Sequence, residues 1–260
     1  DPYVADANRY TAFLVAAICG YSSCLRALHL CYGSALSLAL DDDSNSVIML
    51  AALSGDPDCI VTLKNLYGGS ININHRNRLQ QTPLMFAALG GNPACISALN
   101  SAYGDKLDPR AVDSDSNNVL MFAAINDHPE CIKIIHQLYG NTIDVNALDN
   151  DGNTALILAA VGGNVECVDL LLNLYEGTIK NNLVDRFGDN VFMCSIIHGY
   201  PECIEAVHNA SRGRFNYHAT DKSFNNPMMV AAANDKPDCI AMLGKLYGDQ
   251  IDITEKNIFN

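Results

Sequence analysis

The sequence predicts an all-α solenoid of seven stacked helix–turn–helix repeats with projecting finger loops, and three columns of residues predict it. Cys24, Cys59, Cys95, Cys131, Cys167, Cys203 and Cys239 are separated by 35 residues once and by 36 thereafter. The alanine pairs Ala51/Ala52, Ala87/Ala88, Ala123/Ala124, Ala159/Ala160 and Ala231/Ala232 keep that register, as do Tyr32, Tyr67, Tyr103, Tyr139, Tyr175 and Tyr247. A fixed period of this size means repeated supersecondary units, each burying its apolar face on its neighbours.

Anchored on Asp149, where the fullest copy begins, the chain divides into units 6–40, 41–76, 77–112, 113–148, 149–184, 185–220 and 221–256, the first one residue short. Residues 1–5 match the tail of a preceding unit and 257–260 the start of a further one, so both ends read as cut from something longer. Each unit opens on a polar turn, where Asp6, Asp41, Asp113, Asp149, Asp185 and Asp221 are placed to hydrogen-bond their own backbone. Thr11, Ser46, Thr82 and Thr154 follow, where a hydroxyl caps the first helix. That helix is short and ends near Gly20, Gly55, Gly91, Gly163 or Gly199, the residue that tolerates a left-handed backbone. Pro57, Pro93, Pro129, Pro201 and Pro237 start helix two, because a proline in the first turn has no N–H to leave unpaired. An acid at Asp58, Glu130, Glu202 or Asp238 then suits the helix dipole. Helix two carries Cys, Ile or Val, and Leu at helical spacing and ends at a Tyr–Gly pair. An extended arm follows, with Ile71, Leu107, Ile143, Ile179, Phe215 and Ile251 in one column.

An apolar fraction of 49% is ample for a continuous core. The ten cysteines suggest disulfides until they are placed: seven share one repeat column, and neighbouring helices lie ~8–10 Å apart, too far for a bridge. The column is therefore expected to be buried and reduced, which points to a cytoplasmic or nuclear location. No run of about 18 apolar residues indicates membrane insertion, and no signal peptide is visible. The formal charge of −13 opposes nucleic acid, so the tyrosine column reads as core or seam packing rather than a base-stacking platform. The seven histidines lack the paired spacing of a metal site, and no phosphate loop, nucleotide fingerprint or nucleophile elbow is present. No metal, cofactor or small-molecule substrate is expected. Cys194 and His198, four apart, would share a helix face as thiol and base. Cys194, however, occupies the column of Leu50, Phe86, Phe122, Leu158 and Val230, and Cys31 the column of Leu66, Leu138 and Leu174, so both read as core. Cys19 stands in a column of small and polar residues and reads as an accessible thiol.

The stretch from Asp149 through Gly152, Thr154-Ala155-Leu156, Ala159/Ala160 and Gly163 to Leu172 resembles the ankyrin repeat family, and Asp144 to Ala147 resemble its finger strand. The resemblance covers essentially the whole chain and is strongest at 77–104 and 141–175. Three departures stand out. Family repeats run to about 33 residues, so the surplus here reads as roughly one extra turn on helix two, ending in the tyrosine. The family's histidine after Thr-Pro-Leu is replaced by Leu14, Met49, Met85, Met121, Ile157, Met193 and Met229. In unit 185–220, Ser195 and Ile196 stand for the alanine pair and Ser211 for the tyrosine.

What the resemblance implies is a module without catalysis of its own that binds another protein or a peptide through its fingers and the concave face of its first helices. Carried onto this chain, that surface comprises the tips Arg78, Leu79, Arg186, Phe187, Lys222 and Phe224. It continues through the polar column Gln81, Asn117, Asn153, Asp189 and Asn225 to the helix-one ends Leu89, Ile125, Asn126, Val161 and His198. A small aliphatic floor with an amide rim suits a peptide, loop or helix, and the tip cations make the rim less acidic than the remainder. The alternative is a substrate-docking array of a larger enzyme, or of a host-directed bacterial effector acting in host cytosol, with the catalytic domain outside this chain. Asn146 resembles the finger asparagine that cytosolic hydroxylases modify in this family and is the modification candidate.

Overall fold

Polar turns alternate with pairs of short helices through residues 4–33, 36, 38–180, 182–211 and 219–250, the part of the chain that the computed structural model describes. The fourteen α-helices found there are α1 (Ala12–Ile18), α2 (Ser22–Tyr32), α3 (Val47–Leu53), α4 (Pro57–Tyr67), α5 (Pro83–Gly90), α6 (Pro93–Tyr103), α7 (Val119–Ile125), α8 (Pro129–Tyr139), α9 (Ala155–Gly162), α10 (Val165–Leu174), α11 (Val191–His198), α12 (Pro201–Ser211), α13 (Pro227–Ala233) and α14 (Pro237–Tyr247). Phe215, His218, Ile251 and 257–260 lie outside the described residues, as does the side chain of Ser211.

The start signals act as their chemistry requires, with one exception. The hydroxyls of Thr11, Thr82 and Thr154 accept from the amides of Leu14, Met85 and Ile157. Ser46 does not cap α3, and its buried hydroxyl has no partner. Asn118, Asn190 and Asn226 do the same work in α7, α11 and α13, accepting from Met121, Met193 and Met229 at 3.0–3.1 Å. Five second helices begin at the expected prolines. The turn between paired helices is left-handed at Gly20, Gly55, Gly91, Gly163 and Gly199, and Asp127 and Asp235 take the same conformation at φ 56° and 53°. Aspartate tolerates that region better than most residues with a side chain.

First helices are apolar all round, and α3, α5 and α9 bury nearly every residue; such helices belong inside a stack. Second helices are amphipathic and run to the tyrosine in α4, α6, α8 and α14, where a glycine at positive φ opens a 3₁₀ turn, as at Gly68–Ser70. The chain divides into two compact units, 1–123 with 133–143 and 124–132 with 144–260. In the first, α1 packs on α3 and α3 on α5, while α2 packs on α4 and α4 on α6. The second repeats the scheme, with α9 on α11 on α13 and α10 on α12 on α14.

The cysteine column is buried from Cys59 to Cys239, but Cys24 is exposed, as are Cys31 and Tyr32. These three correct the expectation of a uniform core. α2 packs against α4 on one flank and α1 beneath it, and these side chains lie on its other flank. Cys19 is exposed as expected. Among the described residues the arms form no strand. They show only the isolated bridges Ala5–Thr11 and Leu40–Ser46, with Ile71, Ile73, Leu107, Ile143 and Val145 buried along them.

Candidate interaction surface

All but one of the finger turns among the described residues are built on one carboxylate. Asp41, Asp113, Asp149 and Asp221 each accept, through Oδ1, the amides of the residues two and four further on. Their second oxygen accepts the side-chain amide of Asn45, Asn117, Asn153 or Asn225 at 2.8–3.3 Å. In the turn at 77–81 an amide pair serves instead, Asn77 Nδ2 donating to Gln81 Oε1 at 3.0 Å. The polar column expected to rim a binding surface is therefore turned inward. Gln81, Asn117, Asn153 and Asn225 are half-buried turn staples, and Asp189 is buried.

In the first unit Arg78 and Leu79 are exposed at their tip, and the backbones of adjacent tips are joined by Arg78 N–H to Asp43 and Ser114 N–H to Leu79. Leu89 is half-buried at the end of α5. In the second unit Arg186 N–H bonds Asp151 in the same way. The Arg186 guanidinium pairs with the Asp151 carboxylate and lies 4.7 Å from the Phe187 ring centroid, and the Lys222 ammonium donates to the Arg186 carbonyl. Two of the three tip cations are thus engaged locally, and the charge of Arg186 is offset by Asp151. Phe187 and Phe224 are 59% and 61% exposed. Phe224 also sits at φ 61°, the left-handed position that Arg9, Ser44, Gln80, Ser116, Gly152 and Gly188 take in the preceding turns, and it is the bulkiest apolar residue to stand there. Of the helix-one ends, Ile125, Asn126 and His198 are exposed and Val161 is half-buried.

Asn146 lies half-buried and engages both ends of its amide with the next finger, donating to Thr178 O at 2.9 Å and accepting from Lys180 N at 2.8 Å. Asn74 does the same to Lys106 O and Asp108 N, and Arg110 Nε donates to Thr142 O. This bracing column went unread in the sequence. Its signal is a polar donor every 36 residues, at 74, 110 and 146.

The thiol–base pairing of Cys194 with His198 does not form. Cys194 is buried, its Sγ directed 3.8 Å from the Asp189 carbonyl, and burial, with Asp185 and Asp189 nearby, drives its thiol far above the usual range. Asp189 is itself pushed up to about 6, first by burial and then by Asp185 and Asp221. Among the described residues no group of three or more His, Cys, Asp or Glu is placed to hold a metal ion, and no helix is long and apolar enough to cross a membrane.

A family model described as ankyrin repeats (3 copies) matches residues 13–111, 48–142 and 103–181. Among solved structures, the crystal structure of the human ASB11 ankyrin repeat domain superposes with a TM-score of 0.73 at 19% identity, over 90% of this chain and 97% of that one. No curated protein matches the chain.

Proposed function

The chain belongs to the ankyrin repeat family, whose repeats are generally protein–protein interaction modules, and on that premise we propose that it binds a partner protein or peptide through the finger tips of its second unit, with Phe187 and Phe224 as anchors. The observation that carries this reading is Phe224, a large aromatic at once exposed and held in a left-handed turn position. A large exposed aromatic with no core duty, at a turn position that sister repeats fill with Arg, Ser, Gln or Gly, is what an interface anchor requires. Arg186, paired with Asp151, lies over the Phe187 ring and holds a flat cation–π face at this tip. Apolar contacts at the two phenylalanines, with Ile125 and Val161 at the helix ends, would set affinity. The exposed Arg78 and Leu79 make a lesser contact in the first unit.

The test is a peptide selected from a random library on the whole chain. Phe187→Asp or Phe224→Asp is expected to weaken that peptide's binding by about thirtyfold, ~2 kcal/mol, with circular dichroism and melting near wild type. Glu205→Lys, at the exposed ion pair of Glu205 with Lys245, is expected to change binding by less than about 0.5 kcal/mol. Undiminished binding by both phenylalanine variants would place the contact elsewhere.

A further inference from the structure

The turn at 185–189 departs from its sister turns at one atom. Where Asn45, Asn117, Asn153 and Asn225 donate an amide proton to the carboxylate four residues back, this turn carries Asp189, which has no proton to donate when ionised. The backbone half of the motif is intact, with Phe187 N–H and Asp189 N–H bonded to Asp185 Oδ1 at 2.8 and 2.9 Å. The side-chain half is missing, and among the described residues nothing donates to the Asp189 carboxyl although only 7% of the residue is exposed.

The next turn adds to the frustration. Between 41–45 and 77–81 the corresponding contact is an amide bond, Asn77 Nδ2 to Asn45 Oδ1 at 2.8 Å. At the same register Asp189 faces Asp221, so it has a carboxylate on either side. α11 contributes only the neutral thiol of Cys194. The two nearby cations are occupied, Arg186 by Asp151 and Lys222 by a backbone carbonyl.

We propose that Asp189 is a pH-operated latch on the 185–189 turn: protonated, it donates to Asp185 and closes the turn as the amide does elsewhere, and ionised, it repels Asp185 and Asp221 and loosens the tip that carries Arg186 and Phe187. Because the folded-state value is raised from 3.8 to about 6, the closed turn is fully stabilised below about 3.8 and that stabilisation is lost as pH rises through about 6. The device stands on the turn alone and holds whether or not Phe187 contacts a partner.

The experiment uses the whole chain. Backbone exchange of the Phe187 and Asp189 amides, corrected for intrinsic rates, is measured at about pH 5 and 7.5, together with a carboxyl-carbon NMR titration of Asp189. In wild type, protection of both amides is expected to fall about tenfold or more from the lower to the higher pH, because a turn that favours the protonated carboxyl is tightened tenfold for every tenfold gain in the carboxyl's proton affinity. The Asp151 and Asn153 amides, bonded to Asp149, are expected to stay level. Asp189→Asn restores the residue that four sister turns carry, and its protection is expected to be high at both pH values. Equal pH dependence in wild type and D189N, or an Asp189 carboxyl titrating near 4, overturns the latch. The NMR titration decides the question on wild type alone if D189N folds poorly.

Discussion

The helix pairs α1/α2 and α3/α4 are neighbours in the first unit and carry the same columns, yet the burial of those columns differs. Cys24 is exposed where Cys59 is buried, Leu28 is half-exposed where Leu63 is sealed, and Tyr32 is 48% exposed against 6% for Tyr67. The difference is the number of flanks covered: among the described residues α4 packs between α2 and α6, whereas α2 has the second helix α4 on one flank. The core of this chain lies between repeats more than within them. A column predicts which residue type recurs, and a neighbour decides whether it is buried.

Thiol chemistry gives this comparison its largest test. Burial, followed by Asp56, pushes Cys59 up to about 12, so near pH 8 on the order of 1 in 10,000 of its thiols is ionised. Cys19, Cys24 and Cys31 are expected to label under native conditions at least about a thousandfold faster than the six buried cysteines of the column. Labelling of Cys59 within about tenfold of Cys24 would erase the distinction. Truncation comes next: Leu63→Ala is expected to cost about 3 kcal/mol in denaturant unfolding and Leu28→Ala less than about 1. Equal costs would mean that α1/α2 is as fully packed as its neighbour. The smallest effect concerns the tyrosines. The buried hydroxyl of Tyr67 has no partner, and burial raises its pKa to about 12. Tyr67→Phe is expected to be neutral or to stabilise by up to about 1 kcal/mol, because no hydrogen bond is lost, while Tyr32→Phe leaves stability within about 0.3 kcal/mol. A loss on Tyr67→Phe would reveal a bonded hydroxyl.

Backbone signals proved the most legible part of the sequence. Proline at a first helical turn and glycine after a first helix act through local sterics, so Pro57, Pro93, Pro129, Pro201 and Pro237 and the five glycines fell where the sequence placed them. Asp127 and Asp235 fill the glycine column without resembling it, since aspartate also enters the left-handed region. Caps were half legible: the hydroxyl column marks α1, α5 and α9, whereas α7, α11 and α13 are capped by Asn118, Asn190 and Asn226, since asparagine caps as well as serine. The candidate surface was least legible. Whether an amide faces a ligand or its own turn depends on geometry four residues away, so Gln81, Asn117, Asn153 and Asn225 read as a rim, whereas their side chains bond their own turns. Exposure of the tips was easier to foresee, since Leu79, Phe187 and Phe224 sit in turns with no apolar periodicity to join.

The side chains that brace the fingers also determine how they would bear a load. Asn74, Arg110 and Asn146 each tie one arm to the backbone of the next, and the arms share no strand ladder among the described residues. Tension that parts two adjacent fingers therefore meets individual tethers and single tip-to-tip bonds in succession, not a row of ladder bonds sharing the force in parallel. Within each unit the finger side should yield gradually at low force, while the interlocked first helices behind it resist as one body, which gives the repeats a compliant edge on a stiff spine.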